Sequence, residues 1–239
     1  PEEILKLFPK NSFYNNLFGT VGINYKNEIF EVTTYRSEEG YEDNRHPDKV
    51  IWGKSLEEDV KRRDFTINSL AIGINPLKNI SYEIFDFWNG QDDLKNGLIR
   101  TVGNPDERFG EDALRMIRAI RLASQLKFQI EEKTFVSIVK NVKLINNIAF
   151  ERIRDELFKI LLTDKPGDGL IVLKNSGILA EIMPEILEGV GMKQRGHHIY
   201  DVWKHSLEAL NNCSSRNPIT RLAALLHDVG KPVVMKKIG

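Results

Sequence analysis

The chain has 239 residues, of which 41% are hydrophobic and 28% charged, values that suit one large globular domain or two small ones. Thirty-four basic side chains balance 34 acidic ones, so any nucleic-acid contact must rest on local patches, not on a global basic field. No run approaches the ~18 apolar residues of a membrane-spanning helix, PEEILKLFPK has no signal-peptide pattern, and the lone Cys213 rules out an intrachain disulfide and points to a reducing, bacterial-type cytoplasm.

FGTVGINYK and EIFEVTTYR, around residues 18–36, alternate apolar and polar positions and predict two strands joined near Lys26-Asn27. Residues 37–55 are polar, include Gly40 and Pro47, and read as a long loop. Ser55 with Glu58 is a capping-box pattern, which predicts a helix running through LEEDVKRRDFTINSLAIG. ISYEIFDFW reads as a strand and LIRTVG as a short one. From about residue 105 the apolar spacing turns helical, in GEDALRMIRAIRLASQL, EEKTFVSIVKNV, AFERIRDELFKILL, GLIVLKNSGILAEIM, VWKHSLEALNNC and PITRLAALLHDVG. The expected fold class is α+β, with an α/β module over 1–104, a helical region over 105–190 and a further helical region over 191–239.

On a helical wheel Ala113, Met116, Ile117, Ile120 and Ala123 share one side. Asp112, Arg115, Arg118 and Arg121 step along the other by threes, with Leu114 and Leu122 interrupting them. One reading is a solvated face with ion pairs along the helix. A sharper one follows from hydrogen-bond inventory, because a carboxylate only accepts and a guanidinium only donates. Cytosine and adenine both place an amino donor beside a ring-nitrogen acceptor, which an Asp and an Arg together satisfy. Guanine and uracil place a carbonyl beside an N–H and leave both side chains mismatched.

The wording of these segments resembles class II tRNA nucleotidyltransferases, the CCA-adding enzyme and poly(A) polymerase family. EDALRMIRAIR resembles the family's amino-acid template helix. RRDFTINSLA resembles its sugar and phosphate motif, FEVTTYR the strand after the metal site, and DFWNGQDDLKNGLIRTVG the hinge between head and neck. ERIRDELFKIL resembles the neck helix supporting the template, and HHIYDVWKHSLEALNN with RLAALLHDVGKP resembles the start of an HD-type domain. The resemblance implies a polymerase beta-like head, transfer of nucleotides from CTP and ATP to a tRNA 3′ end, and Mg²⁺ as cofactor. It implies that Asp112 and Arg115 read the base, that Arg118 and Arg121 line the nucleotide site, and that Arg63 contacts nucleotide while Arg62, Asp64 and Asn68 order the site. Arg62 and Arg63 also have a plainer expectation, pairing with Glu57, Glu58 or Asp59, and Asn68 that of a buried amide satisfied by backbone. Asp86, Gly90, Asp93 and Gly97 suit turns as well as a hinge.

The resemblance places the catalytic D-x-D pair ahead of Pro1, so no catalytic carboxylate is assigned; Glu31 is not promoted in its place. It makes His205, His227 and Asp228 candidate ligands of a second divalent metal, with the closing Asp expected beyond Gly239. The loop YEDNRHPDKV resembles the segment that CCA-adding and A-adding members use when switching to ATP. An A-adding enzyme, a poly(A) polymerase, a non-catalytic nucleotide or tRNA binder, and an HD hydrolase with a polymerase-like head remain alternatives. Lys140, Lys143, Arg152, Arg154, Lys193, Arg195 and Lys204 are candidate phosphate contacts or ordinary surface cations.

Overall fold

A computed structural model describes residues 2–15, 20–39, 49–52, 55–75, 81–194 and 199–238, and the fold is α+β. Two compact units result, Pro1–Gly40 with Pro47–Arg62, and Tyr41–His46 with Arg63–Gly239.

In the first unit, helix α1 (Glu2–Leu7) leads into an antiparallel sheet of β1 (Ser12–Asn15), β2 (Thr20–Tyr25) and β3 (Glu28–Thr33). The β2–β3 turn falls where the sequence places it. Lys26 and Asn27 both take left-handed backbone, with φ of 51° and 64°, matching the twist of the flanking strands. The expected loop over 37–55 is structured at both ends, since β4 (Arg36–Glu39) pairs with β5 (Lys49–Trp52). Most of the YEDNRHPDKV segment lies outside the described residues.

Helix α2 (Leu56–Lys61) starts where the capping pattern predicts, with Ser55 Oγ accepting from Glu58 N at 3.3 Å. It does not continue to Gly73. Asp64 Oδ1 accepts its neighbour Phe65 N at 2.9 Å, and the backbone then bonds sideways, Thr66 N to Arg100 O at 3.0 Å and Val102 N to Asp64 O at 3.1 Å. Hydrogen bonds that would continue a helix are spent on a neighbouring segment, and a single 3-10 turn over Thr66–Asn68 follows. Ala71–Asn75 is strand β6, antiparallel to β7 (Ser81–Phe85).

The second unit continues with α3 (Gly90–Asn96), β8 (Leu98–Ile99), α4 (Pro105–Glu111), α5 (Leu114–Leu126) and β9 (Gln129–Ile130), which pairs in parallel with β8. Then follow α6 (Glu132–Asn141), a 3-10 segment over Val142–Asn147, α7 (Phe150–Leu161), α8 (Pro166–Asn175), α9 (Ile178–Ile182), α10 (Pro184–Leu187), α11 (Val202–Asn211), α12 (Pro218–Leu226) and α13 (Lys231–Ile238). The segment GLIVLKNSGILAEIM is two helices, parted at Gly177 with φ of 85°. One apolar core runs from Phe65 and Ile99 through Phe109, Met116, Ile117, Ile120 and Ile160 to Leu207 and Leu225. The compact units divide upstream of the expected boundary at 104 because Phe65 and Ile99 are buried in this same core.

The hinge residues have defined work. Asp86 accepts from Gly90 N at 2.7 Å and Gln91 N at 3.0 Å, holding the first turn of α3. Burial works against the Asp86 charge, yet these backbone donors hold its carboxyl below the usual range. Asp93 is buried and accepts from Thr66 Oγ1 at 2.7 Å and Arg100 Nε at 3.0 Å. Gly97 ends α3 with φ of 65°. At Gly90 a Cβ would lie 2.3 Å from Thr66 O, a backbone atom that cannot move aside. Gly90→Ala is expected to cost about 1–3 kcal/mol, read as a lower denaturation midpoint at unchanged slope.

Candidate nucleotide-reading site

The template segment is not one helix. Asp112 breaks it, with φ of −147° and ψ of 102°, ending α4; its Oδ1 then accepts from Leu114 N at 3.1 Å to start α5. The expected continuous stripe from Asp112 to Arg121 is therefore corrected: Asp112 sits at a helix junction, and Leu114 goes into the core at 6% exposure. The apolar side is as expected, with Ala113, Met116, Ile117, Ile120 and Ala123 all buried.

Each charged residue of the stripe holds a partner of opposite sign. Arg152 of α7 binds Asp112 through two nitrogens, Nη2 to Oδ2 at 2.8 Å and Nη1 to Oδ1 at 3.3 Å. Arg115 Nη1 donates to Glu111 Oε2 at 2.6 Å and to Arg108 O at 3.3 Å. Arg118 donates Nε at 2.9 Å and Nη2 at 2.6 Å to Asp64 Oδ2. Arg121 Nε lies 2.6 Å from Glu156 Oε2, close enough for strong attraction but off the hydrogen-bond line, and its Nη1 donates to Gln125 at 2.5 Å. Apart from Arg121 with Gln125, these contacts cross between elements, so a merely solvated helix face is not what the fold builds.

The RRDFTINSLA segment splits in function. Arg62 pairs with Asp59 on its own helix, Nη2 to Oδ1 at 2.7 Å, the plainer of its two expectations. Arg63 Nη1 donates to Asn68 O at 3.1 Å, and Asn68 Nδ2 donates to Asp64 Oδ1 at 3.1 Å. Asn68 is thus satisfied by a carboxylate, not by backbone. Burial opposes charge on Asp64, but Arg118, Asn68 and the Phe65 N–H overcome it and hold the carboxyl below the usual carboxylate range.

A second carboxylate behaves alike at the far end of α4. Asp106 accepts from Lys140 at 2.5 Å, from Asn141 at 2.8 Å and from Ser137, and these bonds lower its pKa to about 2. A depressed folded-state pKa means the stabilisation is complete above the unfolded value near ~4 and lost as pH falls through the folded one. Stability measured by denaturant titration is therefore expected to fall between about pH 4 and pH 2. Asp106→Ala should flatten part of that slope.

His205, His227 and Asp228 do converge, as the sequence predicts, with ligand atoms all within 4.8 Å of one another. His205 Nε2 is 3.2 Å from His227 Nε2 and 3.5 Å from Asp228 Oδ2. His227 Nδ1 faces Ala224 O at 2.8 Å, which fixes the proton there and leaves Nε2 as the lone-pair nitrogen. Lys231 Nζ lies 2.6 Å from Asp228 Oδ2 and 2.8 Å from Gln194 Oε1. Burial opposes the Asp228 charge, but Lys231 and the two imidazoles keep its carboxyl low.

Residues 1–100 match the family model described as the poly A polymerase head domain, and residues 127–189 match the probable RNA and SrmB-binding site of polymerase A. The CCA-adding enzyme of Lactobacillus helveticus is 49% identical over 160 residues, 67% of this chain and 39% of that protein. The CCA-adding enzyme of Pediococcus pentosaceus is 42% identical over 212 residues, 89% of this chain and 50% of that protein. The chain belongs to the tRNA nucleotidyltransferase and poly(A) polymerase family. A crystal structure of the Bacillus stearothermophilus CCA-adding enzyme in complex with CTP superposes with a TM-score of 0.73 at 30% identity, over 98% of this chain and 54% of that one. The chain spans half or less of the length of the curated relatives described.

Within this family frame, sequence reasoning passed over three residues of the network, Glu111, Glu156 and the specific role of Arg152. A signal existed for two of them, since Arg152 and Glu156 lie four apart on one helix and share a face. Among the other candidate cations, Lys140 pairs with Asp106, Lys143 with Glu181 and Arg154 with its neighbour Asp155. Lys204 lies 4.6 Å from the centre of the Tyr200 ring. Arg195 lies outside the described residues. A cavity of about 420 Å³ opens between the end of α5 and α8, lined by Ser124, Lys127, Phe128 and Lys165, none of them a base-reading candidate. No helix of the described residues is long and apolar enough to cross a membrane.

Proposed function

We propose that this chain is the nucleotide-selecting part of an enzyme that transfers nucleotides from CTP and ATP to the tRNA 3′ end without a nucleic-acid template. Asp112 and Arg115 read the base, Arg63 and Arg118 meet sugar and phosphate, and Asn68 orders Asp64. Arg121, with its side chain only 13% exposed and set against Glu156, serves to stiffen the site. The observation that carries the reading is the break at Asp112, which presents a carboxylate and Arg115 together at a helix junction. A solvated helix needs no such break. The head is assigned to 1–104, the neck and body to 105–190 and the HD-type region to 191–239, acting in the cytoplasm, a setting the single cysteine supports.

Mg²⁺ is the ion of the intact enzyme, where it would activate the RNA hydroxyl and steady the phosphates. Affinities of the 239-residue chain for the four nucleoside triphosphates test the reading. CTP and ATP are expected to bind at least about tenfold tighter than GTP and UTP. Equal affinities overturn it.

His205, His227 and Asp228 fit a divalent ion, because the ring nitrogens of two imidazoles and a carboxylate oxygen, all suitable ligand atoms, lie within 4.8 Å of one another. The Lys231 ammonium on the same carboxylate competes with that ion. Titration with Zn²⁺ or Mn²⁺ should show one binding event that His227→Ala abolishes, while nucleotide affinity stays unchanged.

A further inference from the structure

We infer that Arg152 sets base selectivity by leaving Asp112 a single acceptor position, on Oδ2. The inference rests on the reading of Asp112 as the base acceptor and goes a step past it.

A carboxylate offers two lone-pair positions on each oxygen, about four in all. Oδ1 of Asp112 accepts from Leu114 N at 3.1 Å and from Arg152 Nη1 at 3.3 Å, so both of its positions are taken. Oδ2 accepts from Arg152 Nη2 at 2.8 Å, so one position is left. The amino group of cytosine or adenine turns one N–H along its Watson–Crick edge, and one acceptor satisfies it. Guanine turns two adjacent donors along that edge, its ring N–H and its amino group. A carboxylate with both oxygens open takes both donors side by side and binds guanine better than either intended base. Uracil offers a single ring N–H between two carbonyls and gains less.

The forked, planar guanidinium is suited to blocking both oxygens together, since it binds a carboxylate at two points in one fixed geometry. Arg152 also fixes the carboxylate torsion, which is otherwise broad. Asp112 and Arg152 are both largely enclosed, with side chains 17% and 25% exposed, so the pair is not an incidental surface contact. Arg152 touches no nucleotide in this scheme and is a positioning residue.

The test compares CTP, ATP, GTP and UTP affinities of the full chain in the wild type, Arg152→Ala, Arg152→Lys and Asp112→Ala. Arg152→Ala is expected to lower the CTP:GTP affinity ratio about 10- to 100-fold and the CTP:UTP ratio distinctly less. Arg152→Lys keeps the charge but gives one donor direction, and its CTP:GTP ratio should fall between those of the wild type and Arg152→Ala. If Arg152→Ala does not fold, the lysine variant decides alone, and a wild-type CTP:GTP ratio in it overturns the inference. An unchanged ratio in Arg152→Ala, with selectivity lost in Asp112→Ala, overturns the inference and leaves the base reading standing. Unchanged selectivity in Asp112→Ala overturns the base reading itself.

Discussion

Arg221→Ala is expected to lower the unfolding free energy by about 3–5 kcal/mol. Arg221 lies on α12 and is only 6% exposed. Its guanidinium donates to Leu161 O at 2.6 Å, Thr163 O at 2.9 Å, Ser215 O at 2.7 Å and Cys213 O at 3.4 Å. Leu161 closes α7, where the last carbonyls of a helix lack partners within it and carry partial negative charge. One side chain therefore caps α7 and fixes the loop between α11 and α12. Truncation would leave the carbonyls of Leu161 and Thr163, whose bonds to Arg221 are buried, without this partner. Lysine is no substitute, because a single ammonium cannot point to four carbonyls lying in different directions. Arg221→Lys should still cost about 2 kcal/mol. For a chain of this size each kcal/mol is worth about 2–4 °C, so the alanine variant should melt roughly 6–20 °C lower. A loss under about 1 kcal/mol in a folded variant would show that the loop rearranges to satisfy its carbonyls another way.

How legible this was differs from element to element. The β2–β3 turn was readable because Asn27 tolerates left-handed backbone and the flanking residues alternate. The start of α2 was readable because Ser55 and Glu58 state a cap locally. Its end was not. Nothing within four residues of Lys61 breaks a helix; the break comes from Thr66 and Asp64 bonding to residues 100 and 102, a long-range choice that local pattern cannot express. The same holds at Asp112. Its residue type suits a cap, but whether it lies inside a helix or begins one depends on Arg152, forty positions away. For the site, residue types and the family resemblance named Asp112, Arg115, Arg118 and Arg121. Their partners Glu156 and Arg152 were hidden among ordinary charges of an amphipathic helix, where a salt bridge and a solvated pair look alike in sequence. The His205, His227 and Asp228 cluster was the opposite case, since the resemblance to an HD-type domain named all three residues, and their ligand atoms do come together.

Asp64→Ala is the second large effect, expected at about 2–4 kcal/mol, and it separates structural from ligand roles in the site. The carboxylate side chain is 10% exposed and receives Arg118, Asn68 and the Phe65 N–H. Arg118 is 34% exposed, so solvent screening trims the cost below that of a fully buried pair. Removing Asp64 does two things in opposite directions. It releases Arg118 towards a phosphate, which favours anion binding, and it lets the turn over Thr66–Asn68 loosen, which disfavours it. A double-mutant cycle with Arg118→Met separates them, and a stability coupling of about 1–3 kcal/mol is expected at neutral pH. The sign with pH follows from the lowered pKa of Asp64. The coupling should persist down through the ordinary carboxylate range and disappear only once the pH falls below it, when Asp64 takes up its proton. A coupling that vanishes already near pH 5 would mean that Arg118 is not what holds Asp64 ionised.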